Sequence, residues 1–289
     1  MAAVLLACLA AACFGALAIV VRTGLRRSPD TELAPFTISL AAGVLVAAVA
    51  AASGSFDELD LGAVWPFAAI GAGVPGLSQI LFVRAIRDAG ASRAMVLIGT
   101  TPVISATLAV AFLDEPLRPA LAIATALIVV GGAALAWEQE RPAGFRIAGA
   151  VLALTCAGLF AVRDNLVRHV AVSDEVAPLA ATTASLAGAV LGLVLYLVLR
   201  RRRRALSGFA VSLRAFLPAA FFLALAYGAL LAAFDRGAVT VVAPLNATQS
   251  LWGLAIAAAV LGREEAIGGR LVAGAALVVA GGAIVGAFQ

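Results

Sequence analysis

Ten residues combine a side chain able to bind or bond a solute with a place in or beside a long apolar run. They are Gln79, Thr101, Arg163, Asp164, His169, Tyr227, Asn246, Gln249, Ser250 and Trp252. A polar group in such a run is costly unless it faces the bundle interior or a water-filled path. Asn246, Gln249 and Ser250 follow one another at i, i+3 and i+4, with Gly253 at i+7, so on a helix they share one face. That face offers amides and a hydroxyl, which suit hydrogen bonding to a neutral or zwitterionic solute. Thr101, beside Gly99, Thr100, Pro102 and Ser105, offers a matching stretch upstream, and Tyr227 and Trp252 offer aromatic walls. The competing expectation is tight helix packing, which also favours small polar residues. Gln79 follows Pro75-Gly76, and a proline lacks the N–H that a helix needs, so a kinked, cavity-lining helix is expected there. The alternative for Gln79 is a hydrogen bond that only joins two helices.

Arg163, Asp164 and His169 form the charged candidate. Arg163 could attract a carboxylate while Asp164 or His169 handles a proton. The favoured expectation is blander: Arg163 snorkels to the interface, and Asp164 pairs with Arg168 four residues on. Catalytic signatures are missing. One His and scattered Cys8, Cys13 and Cys156 give no metal spacing, no cofactor motif occurs, and a chain whose basic residues are all Arg has no Gly-Lys phosphate loop. The expectation is a non-enzyme without metal or cofactor, and a short run such as Arg200 to Arg204 reads as a topology anchor or a lipid contact rather than a nucleic-acid site.

The elements that must position these residues follow from composition. Of 289 residues, 63% are hydrophobic and only 12% charged, half the charged share of an ordinary soluble domain; mean hydropathy is +1.08. Lipid is therefore the expected solvent. Apolar runs at 2–21, 33–52, 62–86, 91–113, 118–137, 144–170, 176–199, 212–234, 238–261 and 266–287 predict an all-α membrane protein with ten transmembrane helices. Basic Arg22, Arg26 and Arg27 follow the first run rather than precede it, so it reads as a retained helix and not a leader.

The two halves are related. Ala126 to Ala133 (ALIVVGGA) matches Ala276 to Ala283 (ALVVAGGA), 150 positions apart. Asp114-Glu115 corresponds to Glu264-Glu265, and Cys13-Phe14-Gly15 to Cys156-Ala157-Gly158. The expected units are residues 1–140 and 141–289. Five helices per half force the second to enter the bilayer upside down, giving inverted repeats with a site at the midplane between them and access that alternates by rocking.

Phe82 to Ala94 (FVRAIRDAGASRA), Thr101-Pro102 and Phe112 to Pro116 (FLDEP), with Gly237 to Leu245, Leu261 to Glu264 and Gly274 to Gly282, resemble the signature of EamA-type transporters in the drug/metabolite transporter superfamily. The resemblance implies ten helices in two repeats and the movement of amino acids, related metabolites or drugs, often outward. Related small multidrug-resistance proteins carry a glutamate in their first helix. Leu9 to Val20 and its counterpart Gly149 to Val162 hold no carboxylate, which argues against proton-coupled export of cationic drugs.

Loops after odd-numbered helices hold sixteen Arg, and loops after even-numbered helices hold Arg118, Arg163, Arg168 and Arg236. By the positive-inside rule both termini lie outside an inner membrane, whereas many members of the family are similar in having them inside. The expected function is thus transport of small polar metabolites, as exporter or facilitator, with membrane lipids as surroundings. Alternatives are a non-transporting scaffold, which predicts a sealed apolar interior, and a flippase of a lipid-linked substrate, which predicts a lateral opening near an Arg cluster.

Overall fold

A computed structural model describes residues 1–56, 60–101, 103–104, 107, 119, 123, 126–127, 130–131, 145–173, 176–200, 208–237, 242, 245–262 and 268–288. Among them all regular structure is helical. In chain order the elements are α1 (Ala2–Arg27), α2 (Leu33–Ala52), α3 (Leu61–Gly71), a π turn (Ala72–Leu77), α4 (Ser78–Ala89) and α5 (Ala91–Ile98). Then come α6 (Ile147–Ser173), α7 (Pro178–Leu199), α8 (Phe209–Arg236), α9 (Gln249–Val260) and α10 (Gly269–Phe288). Six segments are long and apolar enough to cross a membrane: α1, α2, α3 through α4, α6, α7 and α8. Two shorter apolar helices, Leu245–Val260 and Gly269–Gly281, join them. The expected fifth helix, the later part of the fourth, and the Glu115, Glu264 and Arg201 to Arg204 expectations lie outside the described residues.

Local chemistry sets the helix ends. The Asp30 carboxylate accepts the Glu32 and Leu33 N–H groups at 2.9 and 3.1 Å as α2 begins, and Asp60 accepts the Gly62 N–H at 2.8 Å as α3 begins; both satisfy donors that a helix start leaves orphaned. Pro178 opens α7, where its missing N–H costs nothing. Gly90, at φ +90°, ends α4 and turns the chain into α5, a conformation that only glycine adopts cheaply.

Helix α1 packs against α8 and α9, while α6 packs against α4 and α5. Likewise α2 packs on α8, α7 on α3, and α2 and α7 on each other. Close approach is made by small residues, as lipid-embedded helices require because lipid tails supply no hydrophobic drive between them. A Cβ on Gly15 would come within 2.7 Å of the Gly253 nitrogen, and one on Gly71 or Gly188 would overlap the carbonyl of Ser185 or Ala68. Between α2 and α8 the Thr37 and Ser212 hydroxyls share a hydrogen bond of 3.0 Å. The outer surface is apolar: Leu5, Val44, Leu191, Val198, Leu217, Phe221 and Val260 are all more than half exposed, as lipid-facing side chains should be.

Arg22, Arg84, Arg87, Arg146 and Arg200, from the segments that follow the first, third, fifth and seventh spans, gather at one end. Arg22 donates to the carbonyls of Ile86 and Arg87, and the Arg146 N–H donates to the Asp88 carbonyl at 2.7 Å. Nearby, Arg84 pairs with Glu32 at 3.0 Å and also reaches the Tyr196 hydroxyl at 3.1 Å. Tyr196 donates to Glu32 at 3.3 Å, and Arg200 stacks over its ring.

Candidate functional site

The third span breaks where Pro75 stands. Val74 leaves helical geometry (φ −138°, ψ 113°), and the Val74–Pro75 bond is cis. Proline cannot donate and clashes with the preceding turn, so carbonyls here seek other donors. The Tyr227 hydroxyl on α8 donates to the Val74 carbonyl at 3.2 Å, and the Cys156 thiol on α6 donates to the Ser78 carbonyl at 3.4 Å. The break is thus held from both sides by neighbouring helices, and Gln79 follows it, buried and turned inward.

Around this break lies a narrow, partly open cavity with room for little more than a water molecule. Helix α1 supplies Phe14 and Leu17, and the broken span supplies Pro75, Ser78, Gln79 and Phe82. Met95 and Ile98 come from α5, Phe160 and Arg163 from α6, Leu223 and Tyr227 from α8, and Gln249 from α9. Most of the wall is aromatic or aliphatic, with five polar side chains converging on it: Ser78, Gln79, Arg163, Tyr227 and Gln249. That balance, apolar walls with a few placed polar groups, is the usual build of a small-molecule site.

Arg163 corrects the interfacial expectation. Its side chain is buried, lies 5.0 Å over the Phe160 ring and 5.4 Å over that of Tyr227, and pairs with Asp164 at 2.8 Å. The guanidinium Nε donates to the same Asp164 oxygen at 2.9 Å. The reason is enclosure: Phe160 and Tyr227 flank the guanidinium and keep it inside the bundle. Asp164 therefore pairs with its neighbour Arg163 inside the bundle; the Arg168 and His169 side chains lie outside the described residues.

The expected residues divide by helix face. Gln79, Gln249, Tyr227 and Arg163 converge on the cavity. Thr101 and Ser250 are buried but bond within their own helices, to the carbonyls of Ile98 at 2.6 Å and Ala247 at 3.0 Å. Ser250 packs where α5 and α9 meet, 3.1 Å from where a Cβ on Gly99 would stand. Asn246 is buried one turn before Gln249, with its Oδ1 unpartnered among the described residues. Trp252 is 46% exposed and does not line the cavity. At 100° per residue it points well away from the face shared by Asn246, Gln249 and Gly253. Sequence reasoning missed Phe14, Phe82, Met95 and Phe160; apolar residues in apolar helices carry no signal that separates cavity wall from lipid face. Among the described residues no cluster of metal-ligating side chains occurs.

The EamA-like transporter family model matches residues 1–137. No curated protein matches the chain. A solved structure, described only as the crystal structure of a protein, is similar at 20% identity with TM-score 0.63, covering 98% of this chain and 95% of its own; at that identity the likeness speaks for the fold alone. The match covers just under half of the chain, and with six membrane-length helices among the described residues it is consistent with an EamA-type drug/metabolite transporter.

Proposed function

We propose that the chain moves small polar metabolites, amino acids and related compounds among them, across the inner membrane as an exporter or facilitator by alternating access. The observation that carries this is the cavity lined jointly by α1, α4, α5, α6, α8 and α9, with Gln79, Gln249, Tyr227 and Arg163 converging on it. A scaffold would need no such convergence of costly polar groups. The packing pattern supports two inverted five-helix repeats, 1–140 and 141–289. Exchanging first for sixth, second for seventh, third for eighth and fourth for ninth span turns the first–eighth, second–eighth and first–ninth contacts into the sixth–third, seventh–third and sixth–fourth contacts, all of them present. Gathering of the odd-loop arginines at one end supports a cytoplasmic assignment for that end, with both termini outside.

Uptake by proteoliposomes across a panel of metabolites, with and without a proton gradient, tests the reading. Gln79→Ala and Gln249→Ala should each reduce uptake of any transported solute at unchanged protein level. Unchanged uptake in both variants would remove the cavity from the pathway.

A further inference from the structure

The arginine-bearing end of the bundle carries a surface apart from the cavity. Arg27 ends α1, Arg200 stands just past the end of α7, and Arg214 lies in the second turn of α8; all three are exposed. They surround the start of α2. On one side Tyr196, one turn before Arg200, donates to Glu32 at 3.3 Å, and Arg200 stacks over its ring. On another side Phe209 packs on Phe36 with ring centroids 6.1 Å apart, and the Thr37 and Ser212 hydroxyls bond at 3.0 Å. Helix α1 closes the third side, where a Cβ on Gly24 would stand 3.1 Å from the Ala215 carbonyl. The chain adds Arg201, Arg202, Arg203 and Arg204 directly after Arg200.

The acids at this end are already engaged. Asp30 accepts two N–H groups of α2, Glu32 receives Arg84 and Tyr196, and Asp88 holds Arg87 at 2.7 Å. Hydrocarbon begins immediately beside the arginines. Leu195, Val198 and Leu199 on α7 are exposed, as are Val211, Leu217 and Phe221 on α8. Val211 and Leu217 lie three residues either side of Arg214, so cation and apolar side chains share one side of that helix. A topology anchor needs only the number of charges, whereas this surface sets them against an apolar face. A free anion or a nucleic acid would match the arginines alone. A molecule that joins phosphate to hydrocarbon matches both.

We infer that this end binds an anionic phospholipid. Arg27, Arg200, Arg214 and the run after Arg200 hold its phosphate and headgroup, and its acyl chains lie along the exposed sides of α7 and α8. Guanidinium forks suit phosphate oxygens, and each basic residue near an anionic headgroup adds to the attraction. At the opposite end Arg236 is paired with Asp235, so the preference for anionic lipid belongs to one end.

The test uses the full-length purified protein in an uncharged detergent, where membrane insertion and its topology signals play no part. It is titrated with dioctanoyl phosphatidylglycerol, dioctanoyl phosphatidylcholine and inorganic phosphate. Binding is read from the shift in Tm and from the lipid retained per chain in native mass spectrometry. Phosphatidylglycerol should bind about tenfold or more tightly than phosphatidylcholine, less so as salt is raised, and inorganic phosphate should not displace it. Two variants remove arginines without touching the core: Arg27→Gln with Arg214→Gln, and Arg201→Gln, Arg202→Gln, Arg203→Gln and Arg204→Gln together. Each should keep the lipid-free Tm of the wild type and cut the preference to about threefold or less. Arg236→Gln, at the other end, should keep the full preference. Equal binding of the two lipids, a preference that survives in both arginine-poor variants, or an equal loss in Arg236→Gln would each overturn the inference. Displacement of phosphatidylglycerol by inorganic phosphate or by a short oligonucleotide would overturn it too, in favour of a free anion or a nucleic acid.

Discussion

The hydroxyl of Tyr227 sits 3.2 Å from the carbonyl of Val74, so the eighth span is bonded to the third at the point where the third leaves helical geometry. A fully buried phenol thereby satisfies an acceptor that the proline-broken helix exposes. Its ring also covers one face of the Arg163 guanidinium. One side chain ties together the break, the cavity wall and the buried charge.

Tyr227→Phe keeps the ring and removes the hydroxyl. The Val74 carbonyl then loses a partner in a buried place, at a cost of about 1 kcal/mol, the usual scale for an interhelical hydrogen bond in a membrane. The expected outcome is a small fall in Tm with the protein still folded, and a larger fractional fall in solute uptake. Uptake equal to wild type would show that the bond only fastens the helices.

Gly15 and Gly188 lie where backbones touch. Gly15→Leu must push α1 from α9, and Gly188→Leu must push α7 from α3, since the obstacle is backbone and cannot rotate away. Each should lower Tm and the yield of monodisperse protein in size-exclusion chromatography. Gly158→Ala is the control, because a Cβ there meets nothing within 4 Å; it should behave as wild type.

The Glu32–Arg84–Tyr196 group is only part-buried, and such pairs contribute about 0–1 kcal/mol and are screened by salt. Glu32→Gln should therefore move Tm little, and the difference from wild type should shrink as salt is raised. A large, salt-insensitive loss would show that this end of the bundle is held far more tightly than its exposure implies.

Orientation is tested by reporters. A phosphatase that is active only outside the cytoplasm, fused at either terminus, should be active at both, and a reporter that works only in the cytoplasm should be silent at both. The reverse pattern would turn the arginine-rich end outward.

Hydropathy made the helical class and most span positions readable, since only lipid can solvate such runs. The break at Pro75 was readable as well, because a missing N–H is a local property of the residue. Gln79, Gln249 and Tyr227 could be picked out because polar atoms stand out in apolar helices. Arg163 was harder. Whether a long cation snorkels depends on what packs around it, and the enclosure of Arg163 by Phe160, Tyr227 and Asp164 comes partly from another helix. Trp252 and Phe14 show the other limit. Both are aromatic residues in apolar helices, and only the packing of Gly15 on Gly253 decides that one ring faces lipid and the other the cavity.

The cancelling charges of Arg163 and Asp164 have an electrical consequence. Membrane voltage does work only on net charge carried through the field, about 2.3 kcal/mol per elementary charge per 100 mV. Under the proposed alternating access, the Arg163–Asp164 pair contributes no net charge of its own for that voltage to act on.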